Sequence, residues 1–215
     1  MHFPTAGSRM PPGMTVRPRA ILFDLDGTLT QPLLDFDLIR REMGIGQRPI
    51  LEALAEMDQP RRSAAEAVLL RHERRAAEES TLNQGCAQLL ARLEDMGIAT
   101  AIITRNSMAS VQQVLRRHGL RFGALIARED GPVKPDAWPL LEACRRLGVS
   151  PAEAWMVGDG EYDILAAQAA GVRSVWLSHG RPRPFAAEPW RTVADLKQLT
   201  ELLGGCLLDG QGCER

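Results

Sequence analysis

Residues 19–30 read Arg-Ala-Ile-Leu-Phe-Asp-Leu-Asp-Gly-Thr-Leu-Thr, and this stretch decides the fold. Its opening, RAILFD (19–24), is a short apolar run that ends in an acid. A run without polar alternation reads as a strand covered on both faces, the kind found inside a parallel sheet. Runs of the same kind recur at 98–104 (IATAIIT), 122–127 (FGALIA), 154–158 (AWMVG) and 173–177 (RSVWL). Helical patterns separate them, over 85–96, 107–118, 135–147 and 162–170, and Gly97, Gly119 and Gly171 serve as stops. Alternation of strand and helix predicts an α/β chain with a Rossmann-like three-layer α/β/α core around a parallel sheet. In such sheets ligands sit at the carboxyl ends of the strands, near the switch in strand order.

Only residues 31–82 break the alternation. Amphipathic patterns over 35–43, 49–57 and 60–79, with no convincing strand, predict a small α-helical cap inserted after the first strand. The expected organisation is a loose leader at 1–18, a core built from 19–30 and 83–205, the cap at 31–82, and a tail at 206–215. The leader, MHFPTAGSRMPPGM onward, lacks the apolar segment of a secretory signal, and Met14 offers an alternative start.

Composition narrows the function classes. The chain has 215 residues, 45% of them apolar and 25% charged, and a formal net charge of −1, which fits a globular protein rather than a disordered one. No apolar run approaches the ~18 residues of a membrane span, and the balanced charge excludes a dedicated nucleic-acid or membrane-surface binder. Cys86, Cys144, Cys206 and Cys213 lie far apart, so reduced thiols in a cytoplasm are expected. The partner expected is a small molecule, with no nucleic acid, no membrane and a monomeric chain. His72 and His118 have no metal-like spacing, and the four tryptophans read as packing residues.

The acids and one lysine fall where ligands bind. Asp24 and Asp26 straddle the end of the first strand, and Gly27 lets the chain bend so that both carboxylates reach one pocket. Neighbouring carboxylates repel and need a cation or a shared proton, and Mg²⁺ is the hard ion that suits oxygen ligands. On its own, D-x-D-G reads equally well as an acidic turn. Thr104 ends the second strand, where it is also fit to cap the following helix. Arg105 reads as an exposed arginine, or as a contact for a substrate anion; Asn106 reads as a helix cap, or as a substrate contact. Lys134 lies in Gly-Pro-Val-Lys-Pro-Asp after the third strand, a place where a lone lysine reads as a surface charge. Asp159 and Asp163 follow the fourth strand, four residues apart and stacked on one face of a helix start. Each piece has a bland explanation, but together they supply a nucleophile, metal ligands, a hydroxyl and a balancing cation to one phosphate site.

With these residues the sequence resembles the haloacid dehalogenase superfamily of phosphohydrolases. Asp24-Leu25-Asp26-Gly27-Thr28 is similar to its first motif, Thr104 to its second, Lys134 in Val-Lys-Pro to its third, and Gly158-Asp159 with Asp163 to its fourth. Order and strand placement match from about Ala20 to Leu177. The insertion is similar in place and character to the cap of phosphoglycolate phosphatases and β-phosphoglucomutases, although shorter.

The resemblance implies that Asp24 attacks phosphorus and becomes an aspartyl phosphate. Asp26 then serves as general acid toward the leaving alcohol and as general base toward water. It implies that Thr104 and Lys134 hold the phosphoryl oxygens, with Arg105 and Asn106 as further contacts to a small phosphorylated metabolite. Mg²⁺ is implied at Asp24, the Asp26 main-chain carbonyl and Asp159, with Asp163 acting through water or from behind the ligands. The acid at Asp26 favours phosphate chemistry over carbon–halogen cleavage, because a halide leaves without a proton. The expected function is a Mg²⁺-dependent phosphatase. A phosphosugar mutase using the same two aspartates is the alternative, followed by a non-enzymatic phospho-acceptor module. In the cap, Arg40, Arg41 and Arg48 read first as a solvated face and second as binders of a substrate carboxylate or second phosphate. The Arg and Glu residues between 61 and 79 read as exposed i,i+4 pairs.

Overall fold

The computed structural model describes residues 17–208, so nearly all of the expected leader and the residues after 208 lie outside it. Five strands stand where apolar runs predict them: β1 (Ala20–Phe23), β2 (Ala99–Ile103), β3 (Ala124–Ile126), β4 (Ala154–Gly158) and β5 (Arg173–Leu177). A short sixth, β6 (Arg191–Val193), extends the edge, and among the described residues the order is β3-β2-β1-β4-β5-β6 with every pairing parallel. Winding therefore reverses between β1 and β4, where Phe23 lies opposite Val157. The crevice at that reversal is the ligand position of doubly wound sheets.

Each central strand feeds both layers. Ile21 and Phe23 of β1 join Trp155 and Val157 of β4 in one apolar cluster, while Ala20, Leu22, Ala154 and Met156 point into the other. The first cluster is closed by α4 (Cys86–Asp95), α5 (Met108–His118) and α8 (Leu196–Leu208), the second by α6 (Trp138–Leu147) and α7 (Glu161–Ala170). The expected three-layer core is what the chain forms. No local pattern assigned an element to 191–208. β6 buries only Val193, which is too little to show a period, and α8 contributes Leu196, Leu199 and Leu203 at helical spacing. Cys86 and Cys144 are buried free thiols. No helix among the described residues is long and apolar enough to cross a membrane.

Between β1 and α4 the chain forms α1 (Phe36–Met43), α2 (Ile50–Ala55) and α3 (Arg61–Glu79). These helices share a small cluster of their own, centred on Ile39, Ala53 and Leu69. Asn83 ties the outgoing and returning chains together, since its side-chain amide donates to the carbonyls of Gly27, Thr28 and Thr30 at 3.2, 2.9 and 3.1 Å. One expectation for α3 is corrected. Arg62–Glu66 and Arg75–Glu79 do pair at i,i+4 on its surface, but Glu73 is only 2% exposed. Its carboxylate accepts from the Arg128 guanidinium and from the Ser107 backbone N–H, which pins α3 to the core beside α5.

Candidate active site

The carboxyl ends of β1 and β4 bring three aspartates together. Asp24 is anchored to β4 by its N–H, which donates to the Val157 carbonyl at 2.9 Å. Asp159 leaves the end of β4, and its carbonyl accepts from the Trp176 indole N–H at 3.0 Å. Asp163 stands in the first turn of α7, where one carboxylate oxygen accepts from the Gly160 N–H at 3.0 Å. Oxygen atoms of Asp24, Asp159 and Asp163 all lie within 4.8 Å of one another.

Lys134 enters this cluster from the loop after β3. Its Nζ donates to Asp24 Oδ1 and to Asp163 Oδ1, each at 2.6 Å, and the residue is 3% exposed. The surface-charge reading of this lysine is thereby corrected. Burial works to lower its pKa, but Asp163 and Asp24 outweigh burial and hold it above the ordinary lysine value. The acids feel the opposite pressure. Burial pushes Asp24 well above the usual carboxylate range against the pull of Lys134, with Asp163 and Asp159 adding to the rise. Asp159 is also raised, first by burial and then by Asp163. Two of the three carboxylates share Lys134 and the third, Asp159, has only Arg181 at 3.6 Å, so burial of all three together favours further positive charge. The hard oxygen donors fit a divalent cation.

Gly27 makes the close approach possible. Its φ of 78° lies in the left-handed region, and a Cβ there would sit 2.7 Å from Asp159 Cγ. The bend it permits returns Asp26 to the same crevice, where Asn106 Nδ2 donates to Asp26 Oδ2. Burial pushes the Asp26 carboxyl up to about 6, with Glu73 and Asp159 adding to the rise and the Asn106 hydrogen bond opposing it. The helix-cap reading of Thr104 and Asn106 is corrected as well. Ser107 caps α5 by accepting from the Ser110 N–H, and Thr104, 5% exposed, accepts from the Asn106 N–H at 3.1 Å.

Arg105 is not the exposed arginine that its place in the sequence suggests. Its guanidinium grips the Glu52 carboxylate of α2 at 2.9 and 2.8 Å, donates to the Lys134 carbonyl, and lies 4.7 Å from the centre of the Tyr162 ring. It bridges the inserted helices to the core.

All eight residues singled out from the sequence (Asp24, Asp26, Thr104, Arg105, Asn106, Lys134, Asp159 and Asp163) line one cavity of about 420 Å³. Its floor is the strand ends, and its roof is Leu34, Phe36, Ile50, Leu51 and Leu69 of the inserted segment. Sequence reasoning passed over Glu73, which lines the cavity, and over His179 and Arg181. His179 Nε2 lies 2.6 Å from the Gly27 carbonyl, and Arg181 lies 3.6 Å from Asp159 Oδ2. His179 lies two residues past the end of β5, so the strand-end rule, carried one strand further, would have found it.

Residues 18–171 match the family model described as haloacid dehalogenase-like hydrolase. The chain is 31% identical over 194 residues to N-acetylmuramic acid 6-phosphate phosphatase of Pseudomonas putida, covering 79% of this chain and 86% of that one. It is 34% identical over 181 residues to phosphoglycolate phosphatase of Xanthomonas campestris pv. campestris, covering 74% and 82% of the respective chains. Among solved structures, a hydrolase from Pseudomonas syringae superposes with a TM-score of 0.71 at 20% identity, over 85% of this chain and 98% of that chain.

Proposed function

Since the chain belongs to the haloacid dehalogenase-like hydrolase family, we propose that it is a Mg²⁺-dependent phosphatase of small phosphomonoesters that works through an aspartyl phosphate on Asp24. The observation that carries this reading is Lys134 held 2.6 Å from both Asp24 and Asp163 at the strand-order switch, with Asp26 in the same cavity. The two curated relatives bear phosphatase names, which supports the same class.

Lys134 fixes one oxygen of Asp24, so the other is available to attack phosphorus. The ester P–O bond breaks as the new Asp24 O–P bond forms. Asp26, with its carboxyl pushed up to about 6, is matched to give its proton to the departing alkoxide. The carboxylate so formed then takes a proton from water, which attacks phosphorus, displaces Asp24 and releases phosphate. Thr104, Asn106 and Lys134 supply donors to the phosphoryl oxygens. Asp24 and Asp159 would hold the cation with the Asp26 carbonyl. Asp163, whose two oxygens already accept from Lys134 and Gly160, would act from behind them. When bound, Mg²⁺ offsets negative charge on the phosphoryl group and on the acids around it. Arg105, committed to Glu52 and the Lys134 carbonyl, orients the lysine loop and closes the inserted helices over the cavity.

Phosphate release from a panel of phosphomonoesters, with Mg²⁺ and with EDTA, tests the reading. Release that requires Mg²⁺ supports it. Retention of phosphate with formation of a sugar bisphosphate would establish the mutase instead. A stable phospho-Asp24 without turnover would establish the phospho-acceptor module.

Asn106 gives a sharper check of the acid. Its amide stabilises the Asp26 carboxylate, so Asn106→Leu raises the Asp26 pKa above its value of about 6. The acid then stays protonated to higher pH, and the descending alkaline limb of kcat/KM for an alkyl phosphate moves upward. A limb that stays in place or moves down removes Asp26 as the acid.

A further inference from the structure

Arg40, Arg41 and Arg48, in the first part of the inserted segment, differ in what they face. Arg48 pairs with Glu56 on the surface and Arg41 is exposed, while Arg40, in the last turn of α1, lines the cavity. The cavity's cations are otherwise committed. Lys134 is shared by Asp24 and Asp163, and Arg105 is gripped by Glu52. Arg40 gives one Nη to Asp37 at 2.8 Å, but the Asp37 side chain is 65% exposed and well solvated. The Nε of Arg40 is buried without a hydrogen-bond partner. A buried guanidinium N–H beside an apolar roof is costly unless an acceptor meets it. None of the acids lining the cavity pairs with Arg40: Asp24 and Asp163 hold Lys134, Asp26 accepts from Asn106, Asp159 faces Arg181, and Glu73 is taken by Arg128 and Ser107.

We propose that Arg40 sets substrate choice by receiving a second anionic group, a carboxylate or a second phosphate, at the end of the substrate away from the scissile ester. This rests on the phosphatase reading and deepens it: the preferred substrates are phosphomonoesters whose alcohol carries an oxyanion on an apolar skeleton. A guanidinium suits either oxyanion because its planar donors match two oxygens at once. The apolar roof of Leu34, Ile50 and Leu51 rewards the carbon skeleton between the two charges.

A matched aryl series separates the contributions: phenyl phosphate, 4-carboxyphenyl phosphate and 1,4-phenylene bisphosphate share one skeleton and differ in the distal anion. The wild-type enzyme with Mg²⁺ is expected to prefer at least one anionic member over phenyl phosphate by about tenfold or more in kcat/KM. The preferred member names the oxyanion. Arg40→Gln collapses that ratio to near one, chiefly through a higher KM for the anionic substrate, and Arg40→Lys restores part of it. A wild-type enzyme that turns over phenyl phosphate without favouring either anionic member overturns the assignment while leaving the phosphatase reading intact. So does an Arg40→Gln variant that keeps the preference. Absence of turnover for all three, together with no release from the wider phosphomonoester panel, overturns both.

Discussion

Asp24→Asn is expected to fold like the parent protein and to lose at least about 10⁴-fold in Mg²⁺-dependent phosphate release. The loss follows from chemistry. An amide oxygen carries no negative charge and is far less nucleophilic than a carboxylate oxygen, so it does not displace the ester oxygen from phosphorus and no acyl phosphate forms. The intact fold follows from the electrostatics. Burial holds the Asp24 carboxyl well above its ordinary value, so a neutral residue of the same shape removes a strained charge. The substituted amide would still offer an oxygen to the Lys134 ammonium, and Lys134 keeps its bond to Asp163. In EDTA, the variant's denaturation midpoint at neutral pH is therefore expected at or above the parent's. Chromatographically pure variant with parental turnover would remove Asp24 as the nucleophile.

The sheet was legible because its physics is local. β1 is apolar at every position, since neighbouring strands cover both of its edges and helices cover both of its faces, and such a strand has no alternation to misread. The acids at its end were legible for a related reason, as carboxylates at strand ends of a parallel sheet have a crevice to face. What lay hidden depended on tertiary partners. Lys134 sits in a Pro-flanked loop that looks exposed, and its burial is decided by Asp24, 110 residues away. Glu73 stands in a helix rich in Arg and Glu, where its neighbours at 71 and 75 pair on the surface with Glu42 and Glu79. Only the packing of α3 beside α5 turns Glu73 inward toward Arg128. Arg105 looks exposed in the sequence for the same reason, because Glu52 reaches it from a helix whose placement no local pattern encodes.

Lys134→Met carries the largest expected loss of stability. Methionine keeps much of the volume but removes the ammonium that two buried carboxylates share at 2.6 Å each. Breaking a buried ion pair by deleting one partner leaves an uncompensated charge, and about 3 kcal/mol of stability at neutral pH is the expected cost. The sign of its pH dependence is fixed. Asp24 already has a folded-state pKa above its unfolded value, so the native state binds the more protons between those two values and stability falls as pH rises through that interval. Loss of Lys134, which lowers the Asp24 pKa in the parent, raises the folded value further and widens the interval. In EDTA, denaturant midpoints of variant and parent therefore separate over the pH range above the parent's raised folded-state pKa of Asp24 and converge below it. A deficit that stays the same on both sides of that pKa would show that lost packing, and not the shared charge, explains the change. Catalysis fails alongside stability. Without the lysine Asp24 holds its proton more tightly and is a poorer nucleophile, and the phosphoryl oxygens lose a cation. Lys134→Arg separates the two losses. It keeps the charge, so its midpoint lies nearer the parent's than that of Lys134→Met, whereas its planar, bulkier head cannot occupy the point between Asp24 Oδ1 and Asp163 Oδ1, and phosphate release stays low.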